Sequence, residues 1–200
     1  MFSTRKTAAA APLVIACVAV ASAGAMAGSA GDDRAGQPGA PSSDRPVVVS
    51  TPPEQASAFA LLRRSEQAGD ALRDRGPGPF GANLSLARAV NTPIGTVRLV
   101  PANGMLCLRA EDDEGSMWTC VTPDAAKAGR LALSVRDESG GLVSSVGVLP
   151  DGYGGAHGLS GRDESSPVTT SQGVYTVTSA DVTAVEYTGP SGEKERVTLP

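Results

Sequence analysis

The sequence predicts an α+β domain, with one or two short N-terminal helices packed on a mostly antiparallel β-sheet that carries one disulfide-linked hairpin. Three observations point there. Phe59, Leu61 and Leu62 form an apolar stripe at helical spacing. From Thr96 onward the pattern changes to short runs rich in Val, Leu and Thr, cut by Gly, Asn, Asp and Pro. Cys107 and Cys120 fall in two adjacent runs of that kind.

The chain opens with Arg5 and Lys6, an apolar run from Ala8 to about Ala21, and then small residues, Ala23, Gly24, Ala25, Ala27 and Gly28. This order matches a secretory signal peptide over residues 1–27, cut after Ala25-Met26-Ala27; cuts after Ala23 or Ala30 also fit. Residues 8–27 are just long enough to span a bilayer uncut, but they are mostly alanine, so the drive to stay in lipid is weak. Val14-Ile15-Ala16-Cys17 resembles a lipobox, whose cysteine would be acylated. Here Val18-Ala19-Val20-Ala21 prolongs the apolar run, which favours Cys17 as filler within the signal.

Residues 28–50 are rich in Gly, Ala, Pro, Ser and Asp and cannot bury enough surface to order themselves, so they read as a flexible linker. Residues 51–200 form the expected single domain. Thr51 as N-cap, Pro52 or Pro53 in the first turn and Glu54 make a capping-box pattern. Arg63 and Arg64 end that helix and complement its dipole. Arg75-Gly76-Pro77-Gly78-Pro79 is a break. A second short helix is expected over residues 82–90, with Leu84, Ala87 and Val90 inward. Strands are expected at 96–100, 105–110, 116–121, 131–135, 142–149, 174–178, 182–188 and 194–199, with one helical turn after Thr122-Pro123-Asp124. Asp137 to Gly141 and Gly189-Pro190-Ser191-Gly192 read as hairpin turns.

Once Cys17 leaves with the signal, Cys107 and Cys120 remain, and in an oxidising compartment they form one bridge. Facing cysteines put Arg109 opposite Trp118, Leu108 opposite Thr119 and Leu106 opposite Val121. Opposed residues of a non-hydrogen-bonded pair lie about 4.5 Å apart at Cα, close enough for a bridge. Leu106, Leu108 and Val121 then share one face; Cys107, Arg109, Trp118 and Cys120 share the other, where Arg109 can stack on Trp118. Closing this loop stabilises by about 3 kcal/mol in the loop-entropy account.

Of 17 basic residues, Arg5 and Lys6 leave with the signal, so 15 remain against 21 acidic ones, a net charge of −6. A mildly acidic chain without a basic cluster argues against nucleic acid as a partner. Glu111-Asp112-Asp113-Glu114 lacks EF-hand spacing and reads as a solvated hairpin tip. Residues 151–158 hold the sole histidine, and Asp151, Tyr153 and His157 are weak ligand candidates on what reads as a flexible loop. Gly158-Leu159-Ser160-Gly161-Arg162 fails the G-x-S-x-G elbow. One histidine and two bridged cysteines cannot make a zinc site. No cofactor or metal site is expected.

Phe59-Ala60-Leu61-Leu62-Arg63-Arg64, Ala82-Asn83-Leu84-Ser85-Leu86-Ala87-Arg88, Leu106-Cys107-Leu108, Thr119-Cys120, Val148-Leu149-Pro150-Asp151-Gly152 and Gly173-Val174-Tyr175 occur in an order that resembles a loose group of uncharacterised exported proteins of high-GC Gram-positive bacteria. The stretch after Gly152 departs from that group, in which a strand opening with valine is expected. The resemblance implies an exported, disulfide-bonded domain and carries no activity with it. The expected location is secreted or extracytoplasmic. The leading expectation is a non-catalytic binding or cell-envelope accessory module, whose partner is a protein or another envelope component. A small secreted hydrolase using His157 or a carboxylate pair is the rival. A membrane-anchored sensor domain is the third reading. Membrane contact is expected only through an uncut or lipidated N-terminus.

Overall fold

One antiparallel pairing already shows how the chain is built: Asp112 pairs with Gly115, and the two strands run along each other as far as Leu106 and Val121. The computed structural model describes residues 46–72, 77–112, 115–161 and 165–200. The signal segment 1–27 with Cys17, and the linker up to residue 45, lie outside the described residues. So do Arg75 and Gly76 of the expected break, Asp113 and Glu114 of the acidic run, and Arg162.

The described chain is largely antiparallel β-sheet with a few short helices. Helices α1 (Pro53–Ala58) and α2 (Ala60–Arg63) precede β1 (Arg88–Thr92), β2 (Gly95–Ala102), β3 (Met105–Asp112) and β4 (Gly115–Val121). Helix α3 (Pro123–Lys127) leads to β5 (Ala132–Arg136), β6 (Leu142–Val148), β7 (Gly154–Ser160) and β8 (Ser165–Pro167). The chain ends with β9 (Thr169–Ser171), β10 (Val174–Val177), β11 (Val182–Thr188) and β12 (Lys194–Thr198). The first sheet has the order β1-β2-β3-β4, the second β5-β6-β10-β9 and the third β12-β11-β7-β8.

Alternation along the strands stacks these sheets with the second in the middle. Leu133, Val146, Val148 and Val174 of the second sheet join Leu99, Leu106 and Leu108 of the first in one core. Ala132, Tyr175 and Val177, on the opposite face, join Val185 and Tyr187 of the third in another. The central strands β6 and β10 are therefore covered on both faces. Gly147 in β6 is fixed by this packing, because a Cβ there would meet the Tyr175 ring at 2.3 Å. A third, smaller cluster on the outer face of the first sheet gathers Ala82, Leu84, Ala87, Val100 and Cys107.

The hairpin register is the expected one. Cys107 and Cys120 are bridged with Cα atoms 4.1 Å apart, and Leu106, Leu108 and Arg109 oppose Val121, Thr119 and Trp118. The Arg109 guanidinium carbon lies 5.3 Å from the centre of the Trp118 ring. The turns at Asp137–Gly141 and Gly189–Gly192 join the expected strand pairs. Asp137 holds its own turn by accepting from the N–H groups of Ser139 and Gly141.

Several expectations change. The first helix is broken at Phe59, which is extended (φ −132°) and buries its ring with Leu61 and Leu62 in the first core. The capping box does not form: Pro52 precedes the first helical residue, and no side chain caps α1. Arg63 does serve a helix end, donating to the Ala56 and Ser57 carbonyls that close α1. No helix forms over 82–90. Asn83 caps a single 3-10 turn at Leu84–Leu86, and the chain then extends into β1 because Thr92-Pro93-Ile94-Gly95 folds it back onto β2. Leu84 and Ala87 consequently face the outer cluster while Val90 faces the first core. The expected loop after Tyr153 is strand β7, an interior strand of the third sheet. Gly158 suits that strand, since a Cβ there would meet Val182 at 2.8 Å. No described helix is long and apolar enough to cross a membrane.

Candidate functional site

Strands β4 and β5 lie against each other on one side of the first two sheets, leaving β1 as the free edge of the first sheet and β9 as the free edge of the second. An unpaired edge exposes a row of N–H and C=O groups, which proteins cover or put to use. Here the segment from Arg64 to Asp70 covers part of β1. Asp70, only 2% exposed, accepts from the Ala89 N–H at 2.9 Å, the Gln67 N–H at 2.6 Å and Arg64 Nη2 at 2.8 Å. Arg64 Nη2 also donates to the Ala89 carbonyl at 3.2 Å. One carboxylate and one guanidinium thus satisfy both edge groups of Ala89, as a neighbouring strand would. Burial pushes the Asp70 carboxyl pKa up, but the hydrogen bonds from Arg64, Ala89 and Gln67 outweigh it and hold the group below the ordinary carboxylate value.

Arg98 fastens the same segment from β2. It is 7% exposed, and its guanidinium donates to the Asp70 and Gly69 carbonyls at 3.3 and 3.1 Å. Register places Arg98 directly opposite Arg109, two like charges that repel at that spacing. Glu111, two residues after Arg109 and so on the same face, pairs with both: one oxygen takes Arg98 and the other lies 2.6 Å from Arg109 Nη2. Glu111 is therefore a strand residue neutralising two buried cations. This corrects its reading as part of a solvated tip, and it removes Glu111 from any calcium reading of the acidic run.

Between this fastened segment, β1 and the β9–β10 turn lies a cleft of about 300 Å³. It is lined by the amide residues Gln67, Asn91 and Gln172, the hydroxyl residues Thr96 and Ser171, and Asp70 and Arg98. Gln172 holds φ +49°, a left-handed conformation that costs a non-glycine residue roughly 1 kcal/mol. The two-residue turn between β9 and β10 requires a left-handed backbone at both Gln172 and Gly173, and it sets Gln172 at the lip of this polar cleft. A second hollow of about 210 Å³ near β4 and β5 is lined by Ile94, Met117, Leu133, Val135 and Val143 and is apolar.

The residues singled out in the sequence do not converge. Asp151 accepts from the Ala60 N–H at 2.5 Å and pairs with Arg63 at 2.6 Å, so it caps α2 and ties the helices to the sheets. Tyr153 packs edge-on against Tyr187 with ring centres 5.4 Å apart, and its hydroxyl donates to Glu195 at 3.0 Å. That bond raises the Tyr153 pKa, with burial adding to it. His157 stands on β7 opposite Glu186; its Nε2 lies 3.1 Å from Glu186 Oε1 and its Nδ1 3.1 Å from the Gly155 carbonyl oxygen. Lys194 pairs with the same Glu186 oxygen at 2.8 Å, and this bond, the largest influence, lowers the Glu186 pKa. Ser160 lies three residues from His157 in one strand, so it points to the opposite face. His157 therefore has a carboxylate beside it but no Ser160 within reach.

The cleft residues carried a weak sequence signal. Gln67, Asn91 and Gln172 are isolated amides, each in a separate turn or strand, and only the tertiary stacking gathers them. The readable sign was Gln172-Gly173 between two Val- and Thr-rich runs, a two-residue hairpin turn with glutamine at a position that favours Asn or Gly. Comparison with family models, with curated proteins and with solved structures finds no match to this chain.

Proposed function

We propose that the chain is an exported binding module of the cell envelope, with the cleft beside β1 as its ligand contact. The carrying observation is that cleft: carboxamides and hydroxyls line it, and Arg64, Asp70 and Arg98 hold one wall rigid from within the protein. Fixed polar groups around a concave space favour selective binding, because little order remains to be imposed on the protein when ligand arrives. The Cys107–Cys120 bridge is compatible with an oxidising compartment, and the N-terminal pattern supports export. A binding role also suits a lining rich in amides and hydroxyls, which donate and accept hydrogen bonds, while the Asp70 carboxylate is already engaged by Arg64, Ala89 and Gln67.

The test is co-sedimentation of the intact, bridged chain with cell-wall and membrane fractions of a high-GC Gram-positive bacterium. Retention by a fraction, reduced in a Gln67→Ala/Gln172→Ala variant, is the expected result. Full recovery in the supernatant from every fraction would contradict the proposal. The mass of the exported chain is expected to start at Gly28 and to lie two hydrogens below that of the reduced form. A lipid on Cys17 or an uncut N-terminus would instead make the module membrane-anchored.

A further inference from the structure

We infer that the cleft recognises an extended peptide segment, which pairs as an added strand with the backbone of Asn91 and places its side chains against the amide-lined walls. This rests on the reading above that the cleft is the binding side, and it names the class of ligand.

Edge groups of an antiparallel strand point alternately toward and away from the partner strand. The N–H and carbonyl of Ala89 point away from β2, since Asp70 and Arg64 bond them. Asn91 is two residues further along β1, so its N–H and carbonyl point the same way, and no described residue bonds them. Asn91 also lines the cleft, so these edge groups, which no described residue bonds, lie beside that space. At Ala89 the protein has built a side-chain imitation of a neighbouring strand, while at Asn91 no described residue takes that place beside the cleft. A partner that fills it needs an N–H and a C=O at strand spacing, which is what an extended peptide offers. The surrounding groups fit that occupant. Gln67 and Gln172 each carry a donor and an acceptor that can meet further peptide groups, and the Asn91 side chain is held aside by Thr96, whose hydroxyl donates to Asn91 Oδ1 at 3.3 Å. The cleft has no large apolar wall, so the peptide it favours carries small or polar side chains.

The experiment selects ligands for the intact, bridged chain from a phage-displayed library of random linear dodecapeptides. The strongest synthetic peptide is then measured by calorimetry. Methylating the peptide nitrogens one at a time should weaken binding at least about tenfold at one position in strand register and little at its neighbours. Asn91→Ala, which keeps the backbone groups, should bind within a few-fold of the parent. Asn91→Pro, which removes an edge N–H that no described residue uses, should bind at least about tenfold more weakly while unfolding at a similar temperature. A selection that enriches no sequence, or a methylation scan that is flat, overturns the inference. Retention by envelope fractions that survives protease but is lost after muramidase also overturns it, with a glycan as the ligand, and leaves the binding-module reading standing. Failure of every envelope fraction to retain the chain strikes that broader reading instead.

Discussion

On one side of the first two sheets, β4 lies against β5, a disulfide ties β4 to β3, and the hollow nearby is lined by Ile94, Met117, Leu133 and Val143. On the other side, β1 and β9 stay apart, the hollow is lined by amides and hydroxyls, and the chain closes part of the gap with Asp70 and Arg64. The two sides use different physics. Apolar area and a covalent loop stabilise the first whatever else is present. Hydrogen-bonding groups on the second gain little unless each is matched, and no described residue matches the backbone groups of Asn91. On the proposed binding role, stability rests on the bridged side and recognition on the open side.

Variants can break that division. Replacing Cys107 and Cys120 together by Ala should cost about 3 kcal/mol in urea unfolding while leaving retention by envelope fractions intact under native conditions. A loss of retention without a loss of stability would reverse the assignment. Gly147→Ala pushes a methyl into the Tyr175 ring and should cost about 2 kcal/mol, again without touching the cleft. Asp70→Asn reaches the open side. It should cost about 2 kcal/mol near pH 7, because it removes the charge that Arg64 and two backbone N–H groups hold. Its sign with pH is set by the depressed carboxyl: the stabilisation is complete above the ordinary value of 3.8 and fades as pH falls through the lower folded value. The gap between parent and variant, followed by unfolding at stepped pH, should therefore close below about pH 4. A gap that widens on acidification would contradict the placing of that charge.

The smallest expected effect is the most telling about strain. Gln172→Gly relieves a left-handed backbone and should leave stability unchanged or raised by roughly 0.5 kcal/mol, yet weaken retention. Unchanged retention would remove Gln172 from the site.

What the sequence could show follows the same division. Strands with alternating Val, Leu and Thr were readable, and so was the whole β3–β4 register, because two cysteines and one geometry determine it. Strand β7 was hidden: Gly154, Gly155 and Gly158 carry no pattern, and two of them are needed, Gly158 because a Cβ would meet Val182 and Gly155 because its backbone is left-handed at φ +62°. Strand β1 was hidden by helical spacing of Leu84, Ala87 and Val90, which Pro93 and the hairpin override. The roles of Glu111 and Asp70 rest on partners far along the chain or across strands, which local pattern does not reveal. Asp151 was visible as unusual, but as a cap for α2 its role is structural.

Hydrogen exchange, read by mass spectrometry with and without a soluble envelope extract that retains the chain, tests the division most directly. The account predicts slowed exchange on ligand addition at Gln67, Asn91 and Gln172 and no change along β4 and β5. Slowing confined to β4 and β5, or spread evenly over all three sheets, would contradict it.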